Sequence, residues 1–409
     1  MSAMIAERIR QARLAAGLTQ NEVAQRLATL GHPITTAGLS KYEHGKSMPR
    51  AQQLLMLAQA LAVKPSYFLA EPQVRVDWLA FRKHAALGER KQQQAQAVAL
   101  RVIEGQVWLE NALYPSARPQ APLARPARSY TDVESAAAAL RMAWGLGDAP
   151  IESVTQAAED HGCIVVGWRG AAVGFDGLSG WTTIGDDHAP TALVNLNVPD
   201  DRRRFNLAHE LGHLTLRFAS GVDEKQQERS AHRFASAFLV PAEMARRELG
   251  ERRRHLALEE LGMLKAKYGL SMQAWARRAR DLGIIEQSYY TNWCKDFSGQ
   301  GWRKEEPYTF EGREEPQRLR QMTLRALAEG VITEERAREL CPDAVTPRHT
   351  PQPEGRRYTA RELMRMPREE RNRILATAAA GAEQEYPTNP ELTEFEAFGE
   401  GDFYDETPE

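Results

Sequence analysis

The 409 residues include 53 Lys and Arg against 55 Asp and Glu, for a formal net charge of −2, and 42% are hydrophobic, enough for two or three domains with real cores. Cys163, Cys294 and Cys341 lie far apart with no C-x-x-C spacing, which argues against a disulfide framework or a cysteine zinc site and points to a reducing cytosol. Residues 1–10 carry charges where a signal peptide needs an apolar run, and no window approaches the length of a membrane span, so a cytoplasmic protein without a membrane partner is expected.

Short helices come first. Ile5, Ile9 and Leu14 space one; Gly17 stops it, and Thr19 with Glu22 forms a capping box for the next, marked by Val23, Ala24 and Leu27. After the turn at Gly31-His32-Pro33, Thr35 or Thr36 caps a third helix that ends at Gly45. Pro49 opens a fourth, with Leu54, Leu57, Ala58 and Leu61 on one face. This order suits a helix-turn-helix. The strings G-L-T-Q-N-E-V-A and L-S-K-Y-E-H-G-K-S-M-P resemble the Cro/C1-type (XRE-like) repressor domain. That resemblance implies that Gln20 contacts a DNA phosphate and that Thr35, Thr36, Ala37, Ser40 and Lys41 line the groove-facing side of the recognition helix. It also implies a DNA operator as partner, read by a homodimer. Phosphate contacts position such a domain and base-edge contacts specify its site. The turn at 29–34 is longer than usual for the family. A protein-interaction module is the competing reading, because the local basic excess is modest.

Pro72 breaks the chain, and residues 74–81 read as a short connector. A long helix is expected over 89–113, and a linker over 114–126, which holds four prolines. Capped helices follow at 131–144 and 151–161, with Gly162 as a stop. Runs 163–168, 177–184 and 192–196 read as strands, hence a small sheet packed on helices. Ser179 and Trp181 lie within reach of a cleft, though ordinary edge-strand positions are the simpler reading.

Residues 205–213 carry H-E-x-x-H. On a helix His209 and His213 leave the same face about one turn apart and can grip one metal ion, with Glu210 beside them to take a proton from water. The plainer alternative is a buried helix whose histidines only satisfy hydrogen bonds. Against it, Leu207, Ala208, Leu211 and Leu214 carry these polar groups into a core where unpartnered burial is costly, and Gly212 leaves room for a close helix. A second helix over 228–239 offers Glu228 and His232, four apart, and either can reach the metal. The strings R-F-N-L-A-H-E-L-G-H and E-x-x-A-H-R-F-A-S-A-F-L-V-P resemble the ImmA/IrrE family of zinc metallopeptidases. The resemblance implies Zn2+ (or another divalent metal) held by His209, His213 and Glu228, with Glu210 catalytic. His232 stands where many members have Asn or Asp, as a second-sphere partner or alternative ligand.

Further helices are expected over 256–268, 271–282, 287–296, 324–329 and 333–340, a linker over 342–356, and a last helix over 359–380 interrupted by Pro367. Residues 383–409 hold ten acidic residues, five aromatics and no Lys or Arg, the composition of a disordered tail. With the string before it, this tail faintly resembles toxin-neutralising antitoxin tails, implying a toxin or other basic partner.

The expected fold is mainly α with an α+β metallopeptidase domain, an all-α helix-turn-helix at 1–75 and a disordered acidic C-terminal tail. The expected boundaries are 76–128 for a helical connector and Pro-rich linker, 129–307 for the peptidase domain with its helical extension, 308–345 for a helical segment, 346–382 for a linker and amphipathic helix, and 383–409 for the tail. The resemblances together imply a zinc endopeptidase fused to a DNA-binding domain. Its expected substrate is a helix-turn-helix repressor or other regulatory protein in a stress, mobile-element or toxin–antitoxin circuit. The alternative is a transcriptional regulator or antitoxin whose peptidase-like domain is a sensor or scaffold.

Overall fold

The computed structural model describes residues 2–79, 88–116, 124–170, 175–344, 366–368 and 370–376. The chain divides into two compact units, Met1–Val345 and Thr346–Glu409. In the second unit residues 368 and 370–376 are helical, beginning just after Pro367; the rest of the helix expected over 359–380 and the tail at 383–409 lie outside the described residues.

Four helices open the first unit: α1 (Ser2–Ala15), α2 (Gln20–Thr29), α3 (Thr36–Glu43) and α4 (Ala51–Ala60). Ile5, Ile9, Val23, Leu27, Leu39, Leu57 and Phe68 make their core. Local chemistry sets the helix starts. Thr19 Oγ1 accepts from the Glu22 N–H at 3.2 Å while the Glu22 carboxylate accepts from the Thr19 N–H at 2.6 Å, a reciprocal cap for α2. Thr35 Oγ1 caps α3 by accepting from the Gly38 N–H at 3.0 Å. Buried Glu43 then ties three helices: it accepts two bonds from Arg13 at 2.5 and 2.9 Å and one from Gln20 at 2.8 Å.

A four-stranded sheet forms the centre of the unit. Its strands are β1 (Arg75–Trp78), β3 (Ile164–Trp168), β4 (Gly177–Ile184) and β5 (Asp187–Asn195), in the order β1-β4-β5-β3. β4 and β5 form an antiparallel hairpin, β3 runs parallel to β5, and β1 lies antiparallel to β4 with Trp78 opposite Gly180. β5 starts five residues before the strand expected from the sequence, because Pro190 does not end it. Pro190 opposes Trp181 just before β3 begins pairing at Thr191, where a missing N–H costs no ladder bond. A short parallel pair, β2 (Arg125–Pro126) and β6 (Leu216–Arg217), lies apart from this sheet.

Alternation along the strands gives the sheet two buried faces. Ile164, Val166, Leu178 and Leu193 face α5 (Glu89–Leu113), which contributes Ala95, Ala99, Ile103 and Val107. The stretch expected to be a connector is therefore structural: β1 is an edge strand and α5 covers one face. Helical periodicity marks this stretch as a helix but not its partner, and its sheet-facing residues include Ala95 and Ala99. Val165, Ala192 and Val194 face the main core, built with α6 (Tyr130–Ala143), α7 (Val154–Asp160), α8 (Asp200–Thr215) and α9 (Glu224–Leu239). Around it stand α10 (Ala242–Leu249), α11 (Leu258–Tyr268), α12 (Met272–Asp281) and α13 (Gln287–Gly299). Finally α14 (Arg318–Ala328) and α15 (Glu334–Leu340) pack on the C-terminal half of α5 through Leu109, Met322, Ala326 and Ala337.

Residues 308–317 strap this assembly together. Glu314, fully buried, accepts from the Val154 and Thr155 N–H groups at 3.1 and 3.0 Å, satisfying the start of α7, and lies 3.5 Å from the equally buried Arg204 of α8. Among the described residues no helix is long and apolar enough to cross a membrane.

Candidate metal centre

Helix α8 carries Asp200 and Asp201 in its first turn, where the helix dipole favours negative charge, and buries Leu207, Ala208, Leu211 and Leu214 completely. That burial fixes its rotation. His209 and His213 then project from one side, half-buried, and Glu210 from another, toward β4.

Helix α9 supplies the opposite wall. Asp223 caps it by accepting from the Gln226 N–H, and Ala231, Phe234, Ala235 and Phe238 sink into the core. α8 and α9 approach closely because residue 212 is glycine: a Cβ there would stand 3.3 Å from Ala231 Cα and 3.2 Å from Phe234 Cδ1. Glu228, one turn before Ala231, is thereby brought against both histidines. His209 Nε2 lies 3.1 Å from His213 Nε2 and 3.3 Å from Glu228 Oε2, and His213 Nε2 lies 3.1 Å from Glu228 Oε1.

These three residues are the one group among the described residues with metal-ligand geometry. A tetrahedral ion with bonds near 2.05 Å separates its ligand atoms by roughly 3.3 Å. The donor spacing therefore fits such an ion, and two imidazole nitrogens with a carboxylate form a donor set suited to zinc.

His232 stands differently. Its ring packs on His209 at 4.4 Å between centroids and on Phe205 at 5.9 Å. Burial first, and then the neighbouring His209, push its pKa down to about 3, so it is neutral. The cluster of donor atoms does not include it.

Glu210 is buried, and its Oε2 accepts a hydrogen bond from Ser179 Oγ at 2.5 Å. The sequence had left Ser179 as an ordinary strand position. The overlooked signal was parity: residues 177, 179 and 181 share a face, and the hydrophobic pattern of β5 assigns that face to α8. A buried Ser on it needs a polar partner. Trp181 packs on the main core from the same face.

In the helix-turn-helix, Thr35, Thr36, Ala37 and Lys41 are exposed. Ser40 is half-buried, its Oγ 3.4 Å from His44 Nδ1. The Gln20 side-chain N–H is engaged by Glu43, which orients the amide at the start of α2.

Residues 169–280 match the family model described as the IrrE N-terminal-like domain, a family of M78 peptidases, and residues 9–68 match the helix-turn-helix model. No curated protein matches the chain. The first match runs from the end of β3 through most of α12 and contains His209, Glu210, His213 and Glu228; the second contains α2, α3 and α4. The chain thus joins an XRE-type helix-turn-helix to an ImmA/IrrE-like domain of the M78 peptidase family.

Proposed function

We propose that this protein is a cytoplasmic, zinc-dependent endopeptidase that also binds DNA through its N-terminal helices. The observation that carries the reading is the triangle of donor atoms on His209, His213 and Glu228, 3.1 to 3.3 Å apart, with buried Glu210 on the same helix. When bound, zinc supplies a Lewis acid that acidifies water and polarises a peptide carbonyl. The chain does the rest. Glu210 takes a proton from the attacking water and returns it to the leaving amine, while His209, His213 and Glu228 fix the ion's position. His232, neutral and packed at a tilt against His209, holds that ring in place.

The attached helix-turn-helix and the ImmA/IrrE resemblance make a repressor of the same helix-turn-helix type the first substrate to test, with the DNA contacts carried by Thr35, Thr36, Ala37, Ser40 and Lys41. The experiment incubates zinc-loaded wild type and Glu210→Gln with purified repressors encoded beside this gene. Cleavage by wild type alone supports the proposal. Intact repressors in both reactions, with the same proteins retained on either variant, support a binding scaffold instead.

A further inference from the structure

We propose that Ser179 and Gly177 of β4 are positioning residues for Glu210, forming a notch that fixes which carboxylate oxygen receives the proton. The inference rests on the metal-centre reading above and adds to it how the base is held. Four observations converge. Ser179 is completely buried, and its hydroxyl donates to Glu210 Oε2 at 2.5 Å. Gly177, two residues earlier on the same face, lies under the same side chain: a Cβ there would stand 3.2 Å from both Glu210 Cγ and Glu210 Oε1. The Ser179 backbone is held on both sides, by the Leu79 N–H donating to its carbonyl at 2.9 Å and by its register opposite Ala192 in β5. Glu210 itself leaves α8, whose rotation is set by four fully buried apolar residues.

The consequence is chemical. With one lone pair of Oε2 engaged by the Ser179 hydroxyl, Oε1 is the more basic oxygen and the favoured proton acceptor. A carboxylate held by this bond meets the reacting atoms without searching for them. A buried hydroxyl-to-carboxylate bond is also of the stronger, charge-assisted kind. The space between Gly177 and the Glu210 side chain is too narrow to take a Cβ without displacing that side chain.

The test needs no knowledge of the protein substrate. Full-length protein is loaded with Co2+ in place of zinc, and acetohydroxamic acid is titrated against its visible absorption bands. On chelation the hydroxamic O–H bond breaks and its proton passes to the Glu210 carboxylate, so affinity reports whether that oxygen is correctly placed. Wild type, Ser179→Ala, Ser179→Thr, Gly177→Ala and Glu210→Gln are compared, with Co2+ affinity measured for each. We expect Ser179→Ala and Gly177→Ala to keep Co2+ affinity within about threefold and to weaken acetohydroxamate about tenfold, because the accepting oxygen is displaced from its position. Ser179→Thr restores most of the loss, and Glu210→Gln loses more than either. Wild-type hydroxamate affinity in both Ser179→Ala and Gly177→Ala, with Glu210→Gln still impaired, overturns the positioning role and leaves the metal centre standing. Absence of Co2+ binding in wild type, or an unimpaired Glu210→Gln, overturns both.

Discussion

Arg8, on the first helix of the helix-turn-helix, places its Nη1 2.8 and 2.7 Å from the two carboxylate oxygens of Glu104, midway along the helix that covers the peptidase sheet. Their side chains are 3% and 14% exposed, so this is a buried pair bridging the two domain types rather than a surface contact. Arg8 Nε also donates to the Ala70 carbonyl at 3.0 Å. Removing one partner leaves the other charged and largely dry, which costs about 3 kcal/mol. Arg8→Ala and Glu104→Ala should each lose about that much in urea unfolding, and the double variant clearly less than the sum. Single variants within 0.5 kcal/mol of wild type would show, on the usual scale of surface pairs, that the bridge is passive (about 0–1 kcal/mol).

Gly212 makes a second prediction. The Cβ of Gly212→Ala would press on the backbone of Ala231, which cannot rotate away, so α8 and α9 must separate by a few tenths of an ångström. Overpacking of this kind costs about 1–3 kcal/mol. Because Glu228 reaches the histidines only through that close approach, zinc affinity should fall along with the thermal midpoint. Isothermal titration with zinc checks this; a variant that loses stability but keeps full zinc affinity contradicts the geometric link.

Glu159 carries a pH dependence. Its carboxylate accepts from the Gln317 and Arg318 N–H groups, both at 3.1 Å, at the start of α14. Burial, opposed by those two donors and by the Arg318 charge, pushes its pKa from 4.5 up to about 7. Below 4.5 the group is protonated in folded and unfolded chains alike. Between 4.5 and 7 the folded chain keeps the proton that the unfolded chain releases, so stability present at low pH is lost as pH rises through 7. The loss is on the order of 3 kcal/mol. Glu159→Gln should flatten this slope and match or exceed wild type at pH 8. A variant weaker at pH 8 than at pH 5, relative to wild type, means that the start of α14 needs the charge.

Much of this architecture was legible in the chain. The helix bounds of α5 and the cap at Thr19 follow from local rules, because helical periodicity and a capping oxygen act within a few residues, while those rules left the α3 cap between Thr35 and Thr36. H-E-x-x-H was equally plain, since helix geometry alone brings His209 to His213. What the sequence left open was long-range. Nothing local tells that Val76 and Trp78 pack on α5 from a strand paired with β4, or that Glu314 closes the start of α7 from 160 residues away. Glu228 and His232 were likewise undecided from spacing, because both lie on one face of α9; the choice depends on where α8 approaches. Ser179 differs, since strand parity already placed it on the face toward α8.

The DNA interface gives a fourth prediction. Lys41 is exposed on α3. Lys41→Ala in the full chain should weaken operator binding across all sequences and reduce the salt slope by about one ion, whereas a base-reading residue changes sequence preference instead. Fluorescence anisotropy over a salt series separates the two. No sequence-specific binding by wild type to the promoter of its own gene would favour the protein-interaction alternative for this domain.

The central claim is that His209, His213 and Glu228 hold one zinc ion, and X-ray absorption at the zinc edge on the full-length protein tests it most directly. The predicted spectrum shows nitrogen and oxygen neighbours near 2.0–2.1 Å, two of them imidazoles and none of them sulfur. It should be unchanged in His232→Ala and lose an oxygen neighbour, with much weaker binding, in Glu228→Ala. Three imidazoles in wild type with one lost in His232→Ala, or a sulfur neighbour near 2.3 Å, would contradict the account.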